Sequence, residues 1–274
     1  MRNRSLFVAL VLLVLAACSS SKPSASTATT TASSSAPTST SAAPLRVLVT
    51  NDDGVDAPGI DKLVQGLRGL SGTDVTVVAP ASNESGAGSK STPGMLTAHA
   101  ATTKSGYTAT AVAGYPVDTI VWAIDQHHVT PKPDVVFSGI NAGQNLGTFI
   151  DISGTVGAAR AAAQRGIPAV AVSQGLGTSI NYSGAVRVAL AWLGAHHADL
   201  LAHRSPATVT NFNVPTCTTG APRAVVKVPV AATGANAFST VDCKSTYTNP
   251  KDDIDAFVHG FVSESDNIPL TAAP

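Results

Sequence analysis

The feature that most constrains this chain is a β-branched run that breaks on two adjacent carboxylates. Leu45 to Thr50 reads L-R-V-L-V-T and stops at Asn51-Asp52-Asp53-Gly54. Valine and leucine suit a buried extended segment and the four residues that follow are turn formers, so this is a strand ending in a loop. The spacing then predicts a helix. Pro58 suits a first helical turn, and Ile60, Leu63, Val64, Leu67 and Leu70 recur at helical intervals until Gly69 and Gly72 weaken the pattern. Val75 to Ala79, closed by Pro80, supplies a second strand and completes a βαβ unit with a right-handed crossover.

The alternation continues along the chain. Val117 to Ile124 reads as a helix, Asp134 to Ser138 as a buried strand, Gly154 to Arg165 as an Ala-rich helix and Pro168 to Ser173 as another strand. Strands alternating with helices predict an α/β fold, a Rossmann-like three-layer sandwich around a mostly parallel sheet. Between the second and third of these strands, Ser91 to Val112 is rich in Thr and Ala around Lys104-Ser105-Gly106 and reads as a projecting β-hairpin. Ala185 to Leu201 forms a further helix. Ala207 to Asn211, Ala224 to Val230 and Ile254 to Ser263 read as later strands, giving a C-terminal β extension that continues the sheet in antiparallel fashion.

The N-terminus is read as an address. Arg2 and Arg4 precede an apolar run from Leu6 to Ala17, which makes residues 1–17 an export signal. Leu15-Ala16-Ala17-Cys18 resembles the lipobox of bacterial lipoproteins, which implies acylation of Cys18 and anchoring to the extracytoplasmic face of a bacterial membrane; an ordinary signal peptide with an incidental Cys is the plainer reading. From Ser19 to Pro44 every residue except Lys22 is Ser, Thr, Ala or Pro, a composition that cannot bury enough apolar surface to order itself. Residues 18–44 are therefore a tether, and 45–274 a single folded domain. Seventeen Lys+Arg balance 17 Asp+Glu, and aromatics make up 5% of the chain, so it lacks the basic, aromatic-studded surface that a nucleic-acid polymer requires. Cys217 and Cys243 are left either as a disulfide or as two isolated thiols, and no C-x-x-C or H-x-x-x-H spacing points to zinc.

In an open α/β sheet, ligands gather beyond the carboxyl ends of the strands, and the polar loops all fall there. Asp52 and Asp53 would resist joint ionisation unless a cation lay beside them. Oxygen donors without His or Cys select Mg²⁺ or Mn²⁺. The plainer reading of the tetrapeptide is a turn with a helix-capping Asp. After the second strand comes Asn83-Glu84-Ser85-Gly86-Ala87-Gly88-Ser89, whose amides and hydroxyls could approach an anion or a metal closely. It is no P-loop, because Ser89 precedes Lys90 where that loop requires Gly and no helical run follows. After the third strand, Asn141 offers a neutral oxygen. Ser153-Gly154-Thr155 then opens the Ala-rich helix, where free amides attract phosphate; an ordinary N-cap is the competing reading.

These segments together resemble the SurE family of metal-dependent nucleoside monophosphate phosphatases, over about Leu45 to Leu270. The resemblance rests on T-N-D-D-G-V-D-A-P-G-I (Thr50 to Ile60), V-V-A-P (Val77 to Pro80) followed by N-E-S-G (Asn83 to Gly86), S-G-I-N-A-G-Q-N-L-G (Ser138 to Gly147) and S-G-T-V-G-A-A (Ser153 to Ala159), in the family order. It implies that Asp52, Asp53, Ser85 and Asn141 bind one divalent cation, with Asp52 and Asp53 as catalytic residues. Asn51, Gly86, Ser153, Gly154 and Thr155 would hold the substrate phosphate. Such a metal would polarise a phosphoryl oxygen and orient a water, hydrolysing nucleoside 5′- or 3′-monophosphates. Asp52 and Asp53 are adjacent and do not have the D-x-D spacing of carboxylate-nucleophile phosphatases, which favours water over direct attack by either of them.

The chain also departs from the family pattern. Ala81 stands where Asp is common after V-A-P, Thr148-Phe149-Ile150-Asp151 replaces an acidic pair, and Gly114-Tyr115-Pro116-Val117-Asp118 replaces G-T-P-x-D. A homodimer is the assembly to expect, although the sequence stops soon after Leu270, where family members often continue into a helix that joins subunits. His127-His128 and His196-His197 read as surface or capping residues, and His259, on an expected strand, receives no catalytic role. The alternative function is a non-catalytic nucleotide- or phosphate-binding surface lipoprotein.

Overall fold

The computed structural model describes residues 43–271. The export segment at 1–17, Cys18 and all but the last two residues of the Ser/Thr/Ala/Pro tether lie outside the described residues. Among the described residues, no helix is long and apolar enough to cross a membrane.

The elements in chain order are β1 (Leu45–Thr50), α1 (Pro58–Arg68), β2 (Thr73–Pro80), β3 (Ala98–Thr102), β4 (Thr108–Val112), α2 (Pro116–Ile120), β5 (Val135–Ala142), α3 (Gly154–Gln164), β6 (Ala169–Gln174), α4 (Ser183–Leu201), β7 (Val209–Val214), β8 (Val225–Lys227), α5 (Asp253–Val258) and β9 (Val262–Ser265). Helix α2 runs on into a wider π turn at Val121–Asp125, and a 3₁₀ turn at Gly147–Asp151 precedes α3. The nine strands form one sheet in the order β3-β4-β2-β1-β5-β6-β7-β9-β8. From β4 through β7 every neighbouring pair is parallel, as the alternating pattern predicts.

Period-2 alternation buries both sheet faces. Val47 and Val49 pack in one core with Ile60 and Leu63 of α1 and Ala185, Ala189 and Leu193 of α4. Leu48, between them, faces the other core with Val117 and Ile120 of α2 and Val156 and Ala159 of α3. Helices thus cover both faces, the three-layer arrangement expected.

The hairpin forms, but it does not stand apart: β4 pairs parallel to β2, so β3 and β4 extend the sheet edge. In the C-terminal part, the extension exists with one correction. The expected strand Ile254 to Ser263 is instead α5 followed by β9. Asp252 caps the helix by accepting the Asp255 N–H at 2.8 Å, and Ile254 and Phe257, three apart, share one buried cluster with Leu146 and Ala237. His259 accordingly sits at the end of that helix, its Nδ1 2.8 Å from the Asp255 carbonyl oxygen, and not on a strand. Strand β9 runs antiparallel to β7 and parallel to β8, which is confined to three residues. Of the two readings for Cys217 and Cys243, the disulfide is the one realised, with the Cα atoms 5.8 Å apart.

Strand β1 is the pivot of this topology. The chain moves from β1 to β2, β4 and β3 on one side, then crosses back to lay β5, β6 and β7 on the other. The crevice between the carboxyl ends of β1 and β5 is therefore the topological switch point where open α/β sheets bind ligands.

Candidate active site

Asp52 and Asp53 follow β1 directly and so emerge at that switch point. Asp52 is buried, and its Oδ1 accepts the Thr155 hydroxyl at 2.7 Å. Burial pushes its carboxyl up to about 6; the Thr155 bond opposes the rise and the neighbouring Asp53 charge adds to it. Asp53, less buried, is also raised by desolvation, partly offset where its Oδ2 accepts the Ala142 N–H at 2.9 Å. That bond ties the loop after β1 to the end of β5.

Close backbone approach makes this possible. A Cβ on Gly59, in the first turn of α1, would stand 1.8 Å from the Ile140 carbonyl oxygen, and one on Gly154 would stand 2.8 Å from Asp52 Cβ and 2.9 Å from Pro116 Cγ. Only glycine lets α1 press against β5, and α3 against Asp52.

The other expected residues gather around this pair. Asn141, the next-to-last residue of β5, donates through Nδ2 to the Gly143 carbonyl at 2.7 Å, which fixes the amide and leaves Oδ1 available as an acceptor. Ser85 belongs to the loop after β2, anchored by the Glu84 N–H on the Asp52 carbonyl at 2.8 Å; the residue is exposed, and its own N–H donates to Asn83 Oδ1 at 2.9 Å. Gly86 follows in the left-handed region, with open space where a side chain would be. Asn51 is fully buried, and its Nδ2 donates to Gly54 at 2.8 Å, closing the turn. Its Oδ1 is left buried without a partner among the described residues, an acceptor that suits a cation or a water better than a phosphate oxygen.

At the start of α3, the residues divide between capping and presentation. Ser153 is the N-cap, its Oγ accepting the Val156 N–H at 3.1 Å, so the plainer N-cap reading describes that contact. Thr155 turns its hydroxyl to Asp52, and not outward. The anion at this helix N-terminus is thus first of all the Asp52 carboxylate, which the helix dipole favours.

Several contributors carry no local sequence signal. Thr155 and Asp52 are 103 residues apart. Asp118, buried, accepts from Ser91 Oγ at 2.9 Å, Thr92 N at 2.8 Å and Oγ1 at 2.7 Å, and Tyr115 N at 2.8 Å, and so pins the segment beyond the Ser85 loop. Asp151, where the family has an acidic pair, is held by the buried Arg160 at 2.7 Å. Tyr182, ahead of α4, has its phenol pushed up by burial and by the Asp53 charge, and its ring lies against the first turn of α1, with Cε1 3.2 Å from where a Cβ on Gly59 would stand. Around the mouth, Gln144 bridges two loops: its Nε2 donates to Ala237 O at 2.9 Å and its Oε1 accepts the Leu176 N–H at 3.1 Å. The adjoining Leu176 and Phe238 are 55% and 57% exposed, an apolar rim beside a polar crevice.

Whether the residues fit a hard dication can be judged from the donors. Two adjacent carboxylates are both raised by burial, and among the described residues no third His, Cys, Asp or Glu joins them. The remaining oxygens, on Asn141 and Ser85, are neutral. Two carboxylates with neutral oxygens form a set suited to Mg²⁺ or Mn²⁺, and unsuited to zinc.

Comparison with known proteins agrees with this arrangement. The family described as Survival protein SurE matches residues 47–240, which include every residue of the crevice discussed above. A protein of Desulfitobacterium hafniense named 5′-nucleotidase SurE is 43% identical over 146 residues, covering 52% of this chain and 56% of its own length. One of the same name from Methylocella silvestris is 39% identical over 204 residues, 73% of this chain and 78% of its own. The chain thus spans little more than half the length of some of its relatives. The crystal structure of the SurE protein from Aquifex aeolicus superposes with a TM-score of 0.65 at 26% identity, covering 83% of this chain and 94% of that one. With its whole crevice inside the matched region, the chain belongs to the SurE family.

Proposed function

We propose that this protein is a metal-dependent phosphomonoesterase that hydrolyses nucleoside 5′- or 3′-monophosphates to nucleoside and phosphate. The observation that carries the reading is the adjacent pair Asp52 and Asp53, raised by burial at the switch point of the sheet and left without a protein cation. The names of the relatives, 5′-nucleotidase SurE, support it.

Asp52 and Asp53 would hold Mg²⁺ or Mn²⁺ with Asn141 Oδ1 and the Ser85 hydroxyl. A cation there supplies Lewis-acid polarisation of the phosphoryl group. Thr155 fixes the Asp52 carboxylate in one orientation, so that little rearrangement is needed on binding. The first-turn amides of α3 at Gly154, with Ser153 and the open Gly86 turn, receive the phosphate oxygens. Asp52 and Asp53 are the carboxylates that would stand beside an attacking water at this metal. Leu176 and Phe238 give the nucleoside an apolar edge to rest on.

The N-terminal charged-then-apolar run ending at Cys18 supports export and lipid anchoring on the extracytoplasmic side as part of the same reading. The test is phosphate release from AMP with and without chelator, in the natural chain and in Asp52→Asn. Turnover that needs metal and disappears in the variant is expected. Tight nucleotide binding with no phosphate release would favour a binding lipoprotein instead.

A further inference from the structure

Strand β7 carries two buried amides that both reach into a loop from elsewhere in the chain. Asn211 and Asn213 are fully buried, on the face where Val209 of the same strand packs with α3. Asparagine is a poor strand former, and a buried amide that is not fully paired costs free energy, so a β-branched residue would serve the strand better at either position. Asn213 Oδ1 accepts the Asn145 N–H at 2.7 Å, and its Nδ2 donates to the Asn145 carbonyl at 3.1 Å. Asn211 Nδ2 donates to the same carbonyl at 2.9 Å. That carbonyl can only accept, so the other end of the Asn211 amide is its oxygen, left buried and without a partner among the described residues.

Asn145 lies midway along the loop that leaves β5 at Asn141 and Ala142 and reaches Gly147. Holding its N–H and its carbonyl fixes the peptides on both sides of its Cα. The next peptide back bears the Gly143 carbonyl, which accepts from Asn141 Nδ2 at 2.7 Å and so decides where Asn141 Oδ1 is turned. The Asn145 side chain is tied too, its Nδ2 donating to Ser173 Oγ of β6 at 3.0 Å. On either side of this grip, the Gly143 N–H donates to the Gln174 carbonyl at 2.8 Å and the Gly147 N–H to Asp253 Oδ2 at 2.9 Å.

On the reading that Asn141 is a ligand of the divalent cation, we propose that Asn213 and Asn211 are positioning residues for that site. They hold the loop after β5 in the shape that presents Asn141 Oδ1 before an ion arrives. Neither asparagine touches the ion; both act through the Asn145 backbone and the neighbouring Gly143 carbonyl. A loop released from β7 would have to be ordered on binding, and that cost appears as lost affinity. Asn211 is the more telling of the two. Asn213 already serves the Asn145 carbonyl, so Asn211 adds a second donor while leaving its own oxygen unpaired, a local loss of the kind that folds carry where a site requires it.

The test titrates Mn²⁺ calorimetrically into the full chain, freed of metal by chelator, at pH 7 and well below the melting temperature, with denaturant unfolding of the same samples. Asn213→Ala is expected to lower Mn²⁺ affinity about tenfold or more and to lower the denaturant midpoint as well, since it strips two bonds from Asn145. Asn211→Ala separates position from stability: it removes an unpaired buried oxygen along with one bond, so the midpoint should stay close to that of the natural chain while Mn²⁺ affinity falls about threefold or more. Arg46→Met, at the far end of β1, is the converse control, with a lower midpoint and unchanged Mn²⁺ affinity. Natural Mn²⁺ affinity in Asn213→Ala and Asn211→Ala, or affinity that merely follows the midpoint across the three variants, overturns the proposal. A natural chain that binds no Mn²⁺ overturns the metal reading and the proposal with it, and is told apart from one that binds the ion and is indifferent to β7.

Discussion

Strands β1 and β5 lie side by side, and a buried aspartate marks each end of the pair. At the amino edge, burial pushes Asp134 upward, but hydrogen bonds from the Arg46 side chain at 2.5 and 3.0 Å and its backbone N–H at 2.8 Å, with the Arg46 charge, outweigh it and hold the carboxyl below its usual value. At the carboxyl edge, burial acts the same way on Asp52, yet its partner is only the Thr155 hydroxyl and its neighbour is another carboxylate, so it rises to about 6. One edge uses its aspartate to join two strands. The other withholds a counter-charge, and that difference marks where an external cation would act.

The largest effect should come from removing the uncompensated charge. Asp52→Asn is expected to lower phosphate release from AMP by about 10³-fold or more, measured at saturating metal. The same change should strengthen the metal-free fold. A carboxyl raised from 3.8 to about 6 binds more protons folded than unfolded between those values, so its contribution to stability declines as pH rises through that window. At pH 7 the penalty is about 3 kcal/mol. Chelator-treated Asp52→Asn should therefore melt above the natural chain at pH 7, with the gap closing toward pH 4.

Asp134 has the opposite sign. Its depressed value gives stability that is present above the unfolded carboxylate value and lost as pH falls through the folded one. Arg46→Met removes the guanidinium and leaves the buried carboxylate with the backbone N–H of that position as its one hydrogen-bond donor. Because Arg46 is one-third exposed, the expected loss is about 2 kcal/mol in denaturant unfolding, below the range for fully buried pairs, with turnover unchanged. Thr155→Val sharpens the comparison from the other side: metal affinity should fall about tenfold by calorimetry, and the metal-free chain should lose about 1–3 kcal/mol in denaturant unfolding at pH 7, because the buried Asp52 carboxylate loses its hydroxyl donor. The smallest effect belongs to His203, mostly exposed and 3.7 Å from Asp134, where His203→Gln should change stability by less than about 0.5 kcal/mol.

Much of the crevice is legible in the sequence because its parts are local. A β-branched run that stops on Asn-Asp-Asp-Gly announces a strand end, and alternating periods place the strand ends on one edge, although the strand expected to stop at Ser138 runs on through Gly139 to Ala142 with a register shift. What stays hidden depends on contacts across the chain. Thr155 reads as a phosphate ligand until α3 is seen to lie against Asp52. Asn211 reads as the end of a strand, and its bond to the Asn145 carbonyl exists only because the loop after β5 reaches β7. Ile254 to Ser263 reads as a strand because its apolar content suits either structure; the Asp252 cap and the burial of Ile254 with Phe257 decide for helix over its first half. Pairing of Cys217 with Cys243 needed their separation in space, which spacing along the chain does not give.

The central claim is that two aspartates beyond β1 and an asparagine at the end of β5 converge on one hard cation. Crystals grown with excess Mn²⁺ and measured for anomalous scattering test it most directly. One strong peak per chain is predicted, in contact with Asp52 and Asp53 and with Asn141 Oδ1 and the Ser85 hydroxyl completing the protein donors. A crevice without a peak, or a peak elsewhere with Asp52 and Asp53 turned apart, would contradict it.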